Sequence, residues 1–181
     1  MADKKSFRNK IKTINNQNIY KDFSQEDSNI INKLIQNENF IKAKTILLYY
    51  PLNNEVNVIP LINYCLKINK KVGLPKIYDD IIKFVKIDFQ WEYNLIKGKY
   101  NILEPNSNQI INEFSKETLI IIPALAFGEN NSRIGHGKGY YDKFLKNKNI
   151  YKIGLTRKHL LFKTVPTKEN DIYLDKIISI N

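Results

Sequence analysis

The sequence contains a single cysteine, Cys65, which excludes an intrachain disulfide and any cysteine-rich metal site. Such a chain suits a reducing compartment, so the expected location is the cytoplasm. No apolar run approaches the roughly 18 residues that a membrane-spanning helix needs. The basic N-terminal stretch has no apolar core of the kind a secretory signal carries, and no membrane partner is expected. Repeats, a linker and a second domain are also missing, as is any Ser/His/Asp or Cys/His constellation for nucleophilic catalysis. Acidic residues are few: 18 Asp and Glu stand against 29 Lys and Arg, giving a formal charge of +11. An excess of that size invites a nucleic-acid reading. The lysines, however, run through every segment among asparagines and isoleucines, so no single basic face is predicted and no nucleic-acid partner is expected. A positive field would still draw in small polyanions.

What is present is a globular composition, with 43% apolar residues in 181. The simplest organisation is one domain over residues 1–181, long enough to bury roughly 70% of the surface its unfolded chain exposes. Strand-like and helix-like segments alternate, which predicts a three-layer α/β domain whose sheet is mostly parallel, with helices on both faces. A monomer is the expected state.

The most informative stretch is Pro123 to Leu145. Thr118 to Ile122 before it is a β-branched apolar run, and so a buried strand. After it, Tyr140, Tyr141, Phe144 and Leu145 fall on one helix face, which starts a helix near Gly139. Between them Gly135, Gly137 and Gly139 alternate with His136 and Lys138. Glycines at every second position permit repeated positive φ and uncover backbone N–H groups. A loop of this kind entering a helix N-terminus can cradle an anion, and Arg133 and Lys138 add positive charge. It is not a Walker loop, because Gly137-Lys138 is followed by Gly139. It is not a dinucleotide fingerprint either, because Tyr140 stands where the third glycine is required. The alternative reading is a basic surface turn.

In chain order, Ala2 to Ile14 is predicted helical, with Phe7, Ile11 and Ile14 as its apolar stripe. Lys4, Arg8 and Lys12 share one face, which by itself reads as a solvated basic surface. Ser24 opens a capping box for a helix running to about Asn39. Thr45 to Tyr50 is a covered strand ended by Pro51. Glu55 follows it, where open α/β sheets bind ligands. It could instead cap the next helix, predicted over 56–68. Further strands are predicted at 71–75, 81–87, 150–155 and 176–180, while 110–114 is too short and polar to assign. Lys76 reads equally as an anion contact or an exposed strand-end lysine. Trp91 and Tyr100 could line a pocket, although isolated aromatics more often pack.

Arg133-Ile-Gly-His-Gly-Lys-Gly-Tyr-Tyr-Asp142, following Pro123-Ala-Leu-Ala-Phe127, resembles the signature of the 5-formyltetrahydrofolate cyclo-ligase family, also called methenyltetrahydrofolate synthetases. The resemblance extends to Lys4-Lys-Ser-Phe-Arg8, Leu74-Pro75-Lys76 and Tyr100-Asn-Ile-Leu-Glu-Pro105, where Asn101 replaces the family's usual glycine. It spans nearly the whole chain. It implies ATP-dependent closure of 5-formyltetrahydrofolate to 5,10-methenyltetrahydrofolate, with release of ADP and phosphate. It implies that Lys4, Arg8, Arg133, Gly135, His136, Gly137, Lys138, Gly139, Tyr140 and Tyr141 contact ATP, with Lys138 and Arg133 acting in catalysis. Glu55, Tyr50 and Tyr140 would contact the folate. Asp142 and Asp171 would hold Mg²⁺, and Asp175 competes with Asp171 by proximity in sequence. Two rivals are a small-molecule kinase using the same loop and a basic nucleic-acid-binding protein, although the latter's clustered basic stripe is missing.

Overall fold

The apolar β-branched runs form the centre of the protein. Its structure, a computed structural model, describes residues 3–180. In chain order the elements are α1 (Lys4–Gln17), α2 (Ser24–Ile35), α3 (Glu38–Lys42), β1 (Thr45–Leu47) and α4 (Ile59–Lys67). There follow β2 (Lys71–Tyr78), β3 (Ile81–Ile87), β4 (Leu95–Lys97), β5 (Leu103–Pro105) and β6 (Thr118–Ile122). The rest are β7 (Ala126–Gly128), β8 (Arg133–Ile134), α5 (Tyr140–Leu145), β9 (Tyr151–Leu155), β10 (Leu161–Phe162) and β11 (Lys176–Ile178).

Six strands form the main sheet in the order β11-β9-β6-β1-β2-β3. Every pairing is parallel except the β2–β3 hairpin, so the sheet is mostly parallel as expected. Thr45 lies opposite both Lys71 and Thr118. From that centre the chain builds outward in two directions, through β2 and β3 on one side and through β6, β9 and β11 on the other. The order therefore reverses between β1 and β6. In open α/β sheets the crevice outside the carboxyl ends of the strands at such a reversal is where ligands bind.

Strand alternation divides the core. Ile46, Leu48, Leu119, Ile121 and Ile153 face the cluster under α2, α3 and α4. Leu47, Ile120 and Ile122 point to the other face, against Phe84, Phe144 and Leu145. There α5 shares the layer with a small sheet of order β10-β7-β8. Ile11, with Phe7 and Ile14 beside it, packs α1 onto that small sheet through Ala126 and Ile134. Helical cover thus exists on both faces, but unequally, since α5 has only six residues.

Several local expectations are corrected. The Ser24 capping box does not form: Phe23 occupies the N-cap without a side-chain hydrogen bond, and the Asp22 carboxylate accepts the Ser24 N–H at 2.8 Å. The helix expected to reach Asn39 stops at Ile35, and α3 begins after an Asn37 cap. The strand expected to reach Tyr50 ends at Leu47. The helix expected over 56–68 begins at Ile59. Ala2 lies outside the described residues, and α1 continues past Ile14 to Gln17. The short strands β4, β5, β7, β8 and β10 carry too few residues to register as a period.

Candidate active site

The β1 and β6 strand ends open into a cavity of about 690 Å³. Beyond Leu47 the chain delivers Tyr49, Tyr50 and the 52–57 turn, and beyond Ile122 it delivers Pro123. The Arg133–Asp142 segment, Lys4 and Arg8 from α1, and Asp171 complete the wall. All the residues expected from the sequence to bind nucleotide, folate or metal therefore line one cavity. Lys12 is exposed on α1 and does not line it.

Glu55 is almost fully buried. It does not cap α4, whose N-cap is Val58. Its Oε2 instead accepts the Leu52 N–H at 2.9 Å, turning the carboxylate back toward the cavity. Its Oε1 lies 3.9 Å from Nε2 of His136 in the glycine loop. The Glu55 charge is also felt by two neighbouring phenols. Burial, followed by that charge, pushes the pKa values of Tyr49 and Tyr141 well up. Both therefore stay neutral donors at physiological pH.

In the loop, only Gly137 (φ +103°) and Gly139 (φ +69°) take positive φ; Gly135 does not, so two of the three positions need glycine for their backbone conformation. Gly137 also has a steric reason: a Cβ there would sit 3.3 Å from the guanidinium carbon of Arg8. Arg8 in turn donates from Nε to the Gly135 carbonyl at 2.9 Å, tying α1 to the loop. Because α5 is so short, positive side chains supply more of the local field than its dipole does. Arg133 is buried on β8 and donates from Nη2 to Oδ1 of Asp142 at 2.7 Å. Its buried Nε has no hydrogen-bond partner among the described residues. A buried guanidinium N–H left unpaired beside a cavity calls for an acceptor from a ligand.

The two candidate metal ligands both face this cavity. Oδ1 of Asp142 also accepts the Ile172 N–H at 3.2 Å. Oδ2 of Asp171 pairs with Lys4 Nζ and accepts the Lys168 N–H at 2.6 Å. Burial opposes ionisation of Asp171. The hydrogen bonds from Lys4 and Lys168, with the charges of Lys4 and Arg133, outweigh it and hold the carboxyl below its ordinary range. Each carboxylate keeps its second oxygen without a hydrogen bond among the described residues. Asp175 is elsewhere: its Oδ2 accepts the Lys152 N–H and meets Lys152 Nζ, both at 2.7 Å. No group of three His, Cys, Asp or Glu side chains suited to a metal occurs among the described residues.

The cavity mouth was only partly legible in the sequence. Asp79 and Asp80, both at positive φ, make the two-residue turn between β2 and β3. Asp80 accepts the Tyr140 hydroxyl at 3.2 Å, and Tyr140 meets the Tyr100 hydroxyl at 3.2 Å. Tyr100 is carried there by a turn in which it and Asn101 also take positive φ, a conformation that asparagine tolerates better than most non-glycine residues. Lys138 is exposed, its Nζ 5.4 Å over the Tyr100 ring. An Asp-Asp pair between two strand patterns is a readable hairpin signal, but its partner across the mouth is not. Trp91 is a packing residue that donates from Nε1 to Asn63 at 2.9 Å, and Lys76 donates to the Ser107 carbonyl at 3.2 Å. Neither lines the cavity. Burial pushes the Cys65 thiol up to about 12, which removes it as a nucleophile.

A mostly parallel sheet with a cationic glycine loop and two carboxylates at its topological reversal defines an α/β protein built to take a polyanionic small molecule at its strand ends. The family model described as the 5-formyltetrahydrofolate cyclo-ligase family matches residues 1–180, and the chain belongs to that family. Among its relatives, a probable 5-formyltetrahydrofolate cyclo-ligase of Caenorhabditis elegans is 26% identical over 97% of this chain and 91% of its own. The 5-formyltetrahydrofolate cyclo-ligase of Escherichia coli K12 is 26% identical over 77% and 79%. Two solved structures are similar. The 5,10-methenyltetrahydrofolate synthetase of Aquifex aeolicus superposes with a TM-score of 0.80 at 28% identity, covering 97% of this chain and 88% of that one. The Mycoplasma pneumoniae 5,10-methenyltetrahydrofolate synthetase gives 0.70 at 29%, covering 98% and 99%. No helix among the described residues is long and apolar enough to cross a membrane.

Proposed function

We propose that this chain, as one domain over residues 1–181, is an ATP-dependent enzyme that closes 5-formyltetrahydrofolate to 5,10-methenyltetrahydrofolate, releasing ADP and phosphate. Family membership supports the reaction class. The observation that carries the site is the gathering of Glu55, the glycine loop, Arg133, Asp142 and Asp171 around one cavity.

The chemical problem is that an N-formyl oxygen leaves poorly and its carbon is a weak electrophile. Transfer of the γ-phosphoryl group to that oxygen makes it a phosphate leaving group. N10 then attacks the carbon and gives up its proton to the phosphate or to solvent, the C–O bond breaks and inorganic phosphate departs. Such transfer depends on positioning and charge neutralisation, not on a protein nucleophile, in keeping with the absence of a nucleophilic constellation in the sequence. Lys138 and Arg133 would neutralise charge on the transferring group, Arg133 through its unpaired Nε. Gly135 to Gly139 would present backbone N–H groups to the phosphates. Lys4, Arg8, His136, Tyr140 and Tyr141 would complete the nucleotide contacts, and Glu55 with Tyr50 and Tyr140 would hold the folate.

The donor set suits Mg²⁺, which usually takes one or two carboxylates together with phosphate oxygens and water. Asp142 and Asp171 would hold it, and the ion would supply charge neutralisation between polyphosphate and carboxylates. We propose further that the protein acts as a monomer in the cytoplasm, without a nucleic-acid or membrane partner.

Mixing the protein with 5-formyltetrahydrofolate and Mg·ATP tests the reading. The expected result is a rise in methenyl absorbance with stoichiometric inorganic phosphate. A stable phosphorylated product without phosphate release would make it a kinase.

A further inference from the structure

Asp27 on α2 and Arg157 just beyond β9 are 130 residues apart and form an ion pair, each about 5% exposed or less. Arg157 donates from Nε to Oδ1 and from Nη2 to Oδ2, both at 2.8 Å. Phe23 covers the guanidinium, with its ring centre 4.2 Å away. Neither Asp27 nor Arg157 lines the active-site cavity.

Both members spend a further hydrogen bond on the turn that carries Glu55. Arg157 Nη2 donates to the Glu55 carbonyl at 2.7 Å, and Asp27 Oδ2 accepts the Asn57 N–H at 2.9 Å. Between them, the Tyr49 hydroxyl donates to the Val56 carbonyl at 3.0 Å. Three consecutive residues of the turn are thus each held by a side chain from a different part of the fold. A buried ion pair is a poor source of stability, since an apolar pair of similar volume usually does as well or better. Its directional hydrogen bonds are what an apolar pair could not supply.

We infer that Asp27 and Arg157 are positioning residues that fix the carboxylate of Glu55 opposite the glycine loop, and so set folate affinity. The inference rests on reading Glu55 as a folate contact. A reacting system tolerates little displacement, a 1 Å error costing up to about a hundredfold.

Removing one partner strands a buried charge and threatens folding, so the principal test is the paired replacement Asp27→Leu with Arg157→Met. We expect this variant to keep its cooperative melting transition, to raise KM for 5-formyltetrahydrofolate roughly tenfold, and to change KM for ATP less than about twofold. In a Glu55→Gln background the same pair of replacements should add almost nothing, because the carboxylate it positions is gone. Arg157→Lys provides a second variant. It keeps a charge on Asp27 but loses the planar fork that reaches both Asp27 oxygens and the Glu55 carbonyl, and should give a smaller rise of the same kind. An unchanged folate KM in both variants, an equal rise in both KM values, or a full multiplicative effect on top of Glu55→Gln would overturn the proposal alone. A Glu55→Gln enzyme with normal folate KM would overturn the folate reading of Glu55 and the proposal with it.

Discussion

Two turns face each other across the cavity, and the chain holds them in opposite ways. In the Glu55 turn, residues 55 to 57 are tied by hydrogen bonds from Arg157, Tyr49 and Asp27. The glycine loop has His136, Gly137 and Lys138 exposed, and is anchored at one edge by Arg8 on the Gly135 carbonyl. A turn that presents a carboxylate gains from having its backbone bound, because the side chain inherits that order. A loop proposed to take phosphate through its N–H groups would leave them free until the ligand arrives, and its path relies on the positive φ that Gly137 and Gly139 permit. One turn is held in place by contacts; the other takes its path because its glycines allow it.

That contrast breaks most visibly at Gly137. Alanine there must adopt φ near +103° and meets Arg8 at 3.3 Å. We expect Gly137→Ala to lower kcat/KM for ATP by about a hundredfold or more, with the fold intact and the melting temperature lowered by the strain of a positive φ at alanine. An active enzyme with normal nucleotide affinity would mean that the loop does not wrap phosphate.

Lys138→Ala should follow, losing about a hundredfold in kcat, as expected for a charge acting on the transferring group. Lys12→Ala, exposed on α1 and away from the cavity, should match the wild type. Steady-state kinetics on both variants decide this, and equal losses would refute the division of labour between loop and helix surface.

The metal assignment has a smaller expected effect. Asp142→Asn and Asp171→Asn should each raise the Mg²⁺ concentration for half-maximal rate by roughly tenfold or more, with little change in folate affinity measured without nucleotide. Asp175→Asn should not shift the titration, since that carboxylate is engaged with Lys152. A shift with Asp175→Asn and none with Asp171→Asn would reverse the choice.

The smallest effect is on stability. The folded pKa of Asp171 is depressed, so its contribution is present above the unfolded value of about 3.9 and is lost as pH falls through the lower folded value. Melting temperatures of wild type and Asp171→Asn should differ by a constant amount near neutrality and converge in acid. A gap that widens toward low pH would contradict the Lys4 pairing.

The strongly periodic parts of the fold were legible without coordinates. β3 and β6 run over the residues expected, because continuous or alternating apolar patterns survive any tertiary context. Boundaries were less so. Ser24 looked like a cap, but the helix starts one residue earlier: the Phe23 carbonyl accepts the Asp27 N–H, and Asp22 accepts the Ser24 N–H. Glu55 was open to two readings because its distance along the chain from α4 suited a cap. Only the placement of the Leu52 N–H showed which way the carboxylate turns.

The sequence by itself determined the alternating α/β plan, the glycine loop with its charges, and the family, because these depend on residue type and local spacing. Tertiary structure alone decided what lies across the chain from what. It placed Lys4 on Asp171, Arg133 on Asp142, Tyr140 between Asp80 and Tyr100, and Arg157 on both Asp27 and the Glu55 carbonyl. These pairings join residues 9 to 167 positions apart. No local periodicity encodes them, because they follow from the order in which the strands assemble around β1 and from which strand ends meet at the reversal.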